Sequence, residues 1–74
     1  METVENQPAF ASNLRRLRNR RKLSQEALAD LCKPPLHRTE VSLLERGRDP
    51  RLSTMVRLAR ALEVSVSDLV RGIK

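Results

Sequence analysis

Apolar residues recur along the chain at helical spacing and divide it into five stretches. Phe10, Leu14 and Leu17 fall at i, i+4 and i+7, one face of a helix from residue 10 to about residue 22. The other faces of that helix carry Arg15, Arg16, Arg18, Arg20 and Arg21. Ser24 is a good N-cap, Glu26 suits a positive first turn, and Ala27, Leu28, Leu31 and Cys32 form a second, shorter stripe. Lys33-Pro34-Pro35 ends it, because a proline restricts the residue before it and donates no backbone hydrogen bond. A third helix is expected over 38–46, with Val41 and Leu44 inward and Gly47 just past its end. Asp49-Pro50 marks a loop, and a fourth helix follows over 52–63 with Met55, Val56, Ala59 and Leu62 inward. Ser65-Val66-Ser67-Asp68 reads as a capping box that opens a short fifth helix through Val70. No stretch alternates with period two for the length of a strand. The pattern predicts an all-α, compact five-helix bundle over 10–74, preceded by an acidic, aperiodic segment at 1–9 that is expected to be mobile.

Composition narrows the chemistry. A chain of 74 residues is one small domain, which buries only about 60% of its unfolded surface. One cysteine excludes an internal disulfide, and one cysteine with one histidine falls short of a zinc ligand set. No metal and no cofactor are expected. The single aromatic residue, Phe10, argues against a single-strand binder, which stacks bases on several rings. No apolar run approaches membrane-spanning length, and the first residues lack the basic start and apolar stretch of a signal peptide. The expectation is a cytoplasmic protein with no membrane partner. Charge is the more telling quantity: fifteen cations against nine anions give +6, with a pI near 11.1. Twelve of the cations are arginine, the side chain suited to phosphates and base edges. A polyanionic partner is implied.

Two short helices joined by a tight connection, the second opening on polar groups and followed by arginines, describe a helix-turn-helix. The residues also resemble a family. Leu14-Arg15-Arg16-Leu17-Arg18, Leu23-Ser24-Gln25-Glu26-Ala27-Leu28-Ala29, and above all His37-Arg38-Thr39-Glu40-Val41-Ser42-Leu43-Leu44-Glu45-Arg46-Gly47 are similar to the phage-repressor and Cro-type, or Xre, helix-turn-helix domains. Leu58-Ala59-Arg60-Ala61-Leu62 and Val64-Ser65-Val66-Ser67-Asp68-Leu69-Val70 complete the likeness. Five blocks in order carry more weight than any one of them.

The resemblance implies roles position by position. Arg38, Thr39 and Glu40 match the start of the recognition helix and Leu43 lies one turn on, so these four are the expected base readers. Gln25 matches a residue that bonds a backbone phosphate and buttresses the recognition helix. Arg46 and Arg48 match positions near phosphates, and His37, Ser42 and Arg51 are added to that phosphate-contacting set. Arg18 and Glu45 match a pair that forms a structural salt bridge beneath the motif. The family dimerises through its C-terminal helix, which here points to Val66, Leu69, Val70 and Ile73. Chemistry agrees with much of this: a guanidinium at Arg38 can pair bidentately with guanine, worth ~1–3 kcal/mol of discrimination. Plainer readings stand beside these. Glu40 can be an ordinary partner of the helix dipole, Gln25 an exposed helix residue and His37 a simple N-cap. Cys32 reads as a small core residue, and the arginines of the first helix as a solvated face.

Three features depart from the family pattern. The connection Cys32-Lys33-Pro34-Pro35-Leu36 is about two residues longer than usual and carries two prolines, Glu40 replaces a frequent aromatic or small polar residue, and Glu63 stands where many relatives have glycine. The leading expectation is a sequence-specific regulator that binds double-stranded DNA, as a homodimeric repressor or activator on an inverted repeat, with RNA polymerase within reach from an adjacent site. The alternatives are a restriction–modification controller or antitoxin-like autoregulator, and, in a different class, a module docking an acidic protein through its arginine face. Catalysis is not expected, since no nucleophile, base and orienting group recur at usable spacing.

Overall fold

Local signals set where each helix begins and ends. A computed structural model describes residues 7–71, and its helices are α1 (Gln7–Arg20), α2 (Gln25–Leu31), α3 (Arg38–Glu45), α4 (Leu52–Leu62) and α5 (Val66–Val70). No strand occurs among the described residues. The first helix starts at Gln7, so 7–9 belong to it and not to the leading segment; Pro8 in its first turn has no intrahelical N–H to lose. The expected mobility of 1–6 falls outside the described residues.

Ser24 caps α2 by accepting the Ala27 N–H at 3.0 Å. Ser65 accepts the Asp68 N–H at 3.1 Å while the Asp68 carboxylate accepts the Ser65 N–H at 3.2 Å, completing the capping box of α5. The Ser65 N–H and then the Ser65 hydroxyl, as donors to the Asp68 carboxyl, hold it below its ordinary value. Gly47, at φ 113°, follows α3 in a region that a Cβ disfavours. Glu63 ends α4 at φ 60° without being glycine. Its N–H returns to the carbonyls of Ala59 and Arg60, and Arg21 reaches over to donate to Leu62 O at 2.9 Å and pair with the Glu63 carboxylate at 3.5 Å.

Phe10, Leu14 and Leu17 of α1 meet Leu28 and Ala29 of α2, Val41 and Leu44 of α3, Leu58, Ala59 and Leu62 of α4 and Leu69 of α5 in one core. Two stripes differ from expectation. On α4 the buried residues are Thr54, Leu58, Ala59 and Leu62, while Met55 and Val56 are half-buried. On α2, Leu31 is 46% exposed and Leu36, beyond the prolines, enters the core instead. The Leu36 N–H reaches back to Ala29 O at 3.0 Å, which folds the long connection against α2 and leaves Pro34 and Pro35 exposed. The Lys33–Pro34 peptide is cis. Cys32 is buried, donates to Leu28 O at 3.5 Å, and burial pushes its thiol pKa up, as expected of a core residue. Leu69 is fully buried within the chain, so it has no surface to offer a second copy; Val66 and Val70 are half-buried, and Ile73 lies outside the described residues.

Candidate nucleic-acid interface

Packing of α3 fixes which of its residues face outward. Val41, Leu44 and Glu45 are buried, and at 3.6 residues per turn Thr39, Ser42, Leu43 and Arg46 then share the opposite face, while Arg38 opens the helix at the edge of that face. Thr39 and Arg46 are exposed and Ser42 and Leu43 half-buried along that face, and Arg38 is exposed at its edge. Glu40 stands apart from it, half-buried on the flank turned to α4. His37 occupies the N-cap position, yet its side chain makes no capping bond; its carbonyl accepts the Glu40 and Val41 N–H groups. Beyond α3, Arg46, Arg48 and Arg51 are all exposed along the segment leading into α4. That face and its edges thus gather Thr39, Ser42, Leu43 and four cations, Arg38, Arg46, Arg48 and Arg51.

A buried ionic hub holds α3 at this angle. Glu45, only 4% exposed, accepts from Arg18 Nε at 2.6 Å and Nη2 at 3.0 Å, a bidentate pair across two helices. The third Arg18 nitrogen donates to Leu23 O at 2.8 Å. Gln25, the first residue of α2, donates its amide to Glu45 Oε1 at 3.1 Å. Both helices of the motif and α1 are therefore bonded to one carboxylate. Burial pushes the Glu45 carboxyl pKa up, but the bonds from Arg18 and Gln25 and the charges of Arg18 and Arg15 outweigh it and hold the group below its ordinary value. The same partnership, led by the Glu45 bond, raises Arg18.

The expected Arg18–Glu45 bridge is present, and Gln25 buttresses the recognition helix. Arg15 has a role the sequence did not indicate: its Nη2 donates to Glu45 O at 2.9 Å, satisfying a carbonyl in the last turn of α3. Arg21 does the same for α4, and Arg16 donates to Asn13 Oδ1 at 3.1 Å, so much of the α1 arginine face is engaged in the fold. Basic residues near carbonyl ends are a general signal, but here they come from a helix distant in sequence, where no local pattern shows them. A polar cleft of about 520 Å³ also lies between α3 and α4, bordered by Glu40, Leu44, Arg48, Arg51, Thr54 and Arg57. Among the described residues no group of three or more His, Cys, Asp or Glu is placed to hold a metal.

Comparison with known proteins agrees with this geometry. The sequence profile of the helix-turn-helix family (HTH_3) matches residues 14–69. The chain is 45% identical over 68 residues to the control protein C.SmaI of Serratia marcescens, covering 88% of this chain and 79% of that protein. Its structure superposes on the restriction-modification controller protein C.AhdI of Aeromonas hydrophila with a TM-score of 0.83 and 36% identity, covering 93% of this chain and 99% of the other. A hypothetical transcription factor from Neisseria, NHTF, gives a TM-score of 0.80 at 36% identity over 88% of this chain and 74% of its own. The chain belongs to the helix-turn-helix (HTH_3) family of DNA-binding transcription regulators.

Proposed function

We propose that the chain is a homodimeric controller of a restriction–modification system, which binds an inverted repeat and regulates transcription from it. The observation that carries this reading is the extent of the likeness to C.SmaI and C.AhdI, which runs well beyond the motif into α1, α4 and α5. Arg38, Thr39 and Leu43 read base edges, with Arg38 pairing to a guanine. Glu40 reaches a base edge from the flank of α3, beside that face. Gln25, His37, Ser42, Arg46, Arg48 and Arg51 hold phosphates and so set the register of α3 without specifying sequence. Gln25 has amide capacity left for a phosphate while its Nε2 stays on Glu45.

An eight-residue recognition helix reaches few base pairs, so affinity calls for two half-sites about one helical turn, ~34 Å, apart. The half-exposed parts of Val66 and Val70 are the described apolar surface of α5 available to a second copy. No helix among the described residues is long and apolar enough to cross a membrane; the protein works in the cytoplasm, without a catalytic step, and meets RNA polymerase from its operator. The test is footprinting of the DNA upstream of the chain's own reading frame. Protection of an inverted repeat by two protomers supports the proposal; protection without a repeat, or none, overturns it.

A further inference from the structure

We infer that a groove between the end of α2 and the second half of α4 is a docking site for an acidic protein segment that carries an apolar side chain. The regulator would thereby meet a protein partner on a face separate from its DNA interface. The groove follows from the path of the chain. The Leu36 N–H bond to Ala29 draws the connection back over α2, and Leu31, the last residue of that helix, is left 46% exposed. Across from it, Arg57, Arg60 and Ala61 recur at i, i+3 and i+4 and so share one face of α4. Lys33 of the connection and Glu63 beyond α4 complete the border of a space of about 360 Å³. Leu31 and the half-buried Ala61 form its apolar part, and the stems of Lys33, Arg57 and Arg60 extend that part beneath their charged ends. Glu63 is matched by Arg21 at 3.5 Å, so the charge the groove offers is that of its three cations.

That chemistry selects among occupants. Duplex phosphates would satisfy the cations but bring nothing apolar to cover Leu31, and Arg60 lies nine residues, ~14 Å, along α4 from Arg51 at the phosphate-contacting edge. A second copy docked by two-fold symmetry would set the same three cations against each other, and like charges oppose association. A small molecule is held by enclosing most of its surface, whereas a groove with a wall residue nearly half exposed encloses little. A protein segment meets every condition. Its carboxylates pair with the cations, as acidic motifs do with arginine clusters, and an aliphatic or aromatic side chain covers Leu31 as an interface anchor. None of the six bordering residues belongs to the base-reading, phosphate-contacting or α5 surfaces, so operator, second copy and partner can be held together. Docking in the groove depends on no part of the DNA-binding reading.

The test selects the partner chemistry directly. A random peptide library displayed on phage is panned on the wild-type protein at near-physiological salt. The enriched peptide is then titrated by fluorescence anisotropy into wild type, Leu31→Gln and Arg60→Glu, each first shown to be folded by circular dichroism. Both side chains are exposed, so neither change empties the core, and Arg57 is left intact because it also borders the cleft beside α3. Arg20→Glu on α1 and Arg46→Glu after α3 are controls that make the same change in net charge on two other basic faces. The expected result is a consensus that joins acidic residues to an apolar one, bound about tenfold or more weakly by both groove variants, as for loss of an anchor, and as in wild type by both controls. No consensus, a consensus without acidic residues, or unchanged affinity in the groove variants overturns the inference. An equal loss in either control overturns it too, because net charge or another face would then account for the binding. Sedimentation and duplex titration of Leu31→Gln test the other occupants. The variant should keep the oligomeric state and duplex affinity of wild type, and a loss of either would give the groove to a second copy or to DNA instead. Failure of wild type to bind any duplex would sink the DNA-binding reading while leaving the peptide result standing.

Discussion

Replacing Arg18 by methionine tests whether the hub under the recognition helix carries much of the stability of this fold. The guanidinium serves three acceptors at 2.6, 3.0 and 2.8 Å, and Glu45 is 4% exposed. Arg18→Met keeps much of the side-chain volume but leaves a buried carboxylate with the Gln25 amide at 3.1 Å and Arg15 Nε at 3.8 Å. Breaking a buried pair from one side costs about 3–5 kcal/mol, against about 0–1 for an exposed pair. The Arg18 side chain is 13% exposed, which places the pair in the first class. At 0.05–0.15 kcal/mol per residue, a domain of 74 residues holds only roughly 4–11 kcal/mol in total. Arg18→Met should therefore lose from about a quarter to the whole of that total at 25 °C. Urea titration followed by far-ultraviolet circular dichroism measures this, and the double variant Arg18→Met/Glu45→Leu should recover most of the loss because no charge is left stranded. A single variant that loses under about 1 kcal/mol, or a double variant no more stable than the single, would refute the reasoning. The pH dependence supplies a second readout. Because folding depresses the Glu45 pKa, its contribution is fully present above the unfolded carboxyl value of ~4.3 and disappears as pH falls through the lower folded value. Glu45→Gln should flatten that part of the acid-stability profile.

Three further outcomes follow from named contacts. Arg38→Ala should cost about 1–3 kcal/mol of operator affinity and relax preference at a single base pair, which competition with point-substituted duplexes measures. Arg46→Ala should weaken binding to all duplexes alike and reduce the slope of log affinity against log salt by about 0.9; equal behaviour of the two variants would undo the division between reading and positioning. Glu63→Gly should raise stability by up to about 1 kcal/mol, since glycine accepts the left-handed backbone more readily and the exposed Arg21 pair it removes is weak; a fall in the urea midpoint would contradict this.

Signals confined to a few adjacent residues were readable in the sequence. Ser24, Ser65, Gly47 and the Pro34-Pro35 break mark helix ends through chemistry that operates within one turn, and each acts there as expected. What depends on the docking of one helix on another was not. On α4 both Met55-Val56 and Leu58 offer apolar surface, and only packing against α2 and α5 selects the stripe through Thr54 and Leu58. The Leu36 N–H bond to Ala29 draws the connection back so that Leu36 is covered while Leu31 is left in solvent, a consequence of backbone path that periodicity does not contain. Burial of Leu69 followed from the same cause, since Asn13 of α1 binds Leu69 O and Arg71 O at 2.9 Å each and pulls α5 onto the bundle. In the candidate interface, the outward face of α3 was legible because it is the complement of Val41 and Leu44. The bond from Arg15 to Glu45 O joins distant parts of the chain, so only the folded arrangement reveals it.

Selection from a random duplex library at near-physiological salt tests the central claim most directly. Salt matters, because a protein of charge +6 holds any duplex when screening is weak. The account predicts enrichment of an inverted repeat with half-sites about one helical turn, ~34 Å, apart, and loss of that enrichment in Arg38→Ala with general duplex binding retained. A bound pool without a consensus, released uniformly as salt rises, would contradict it.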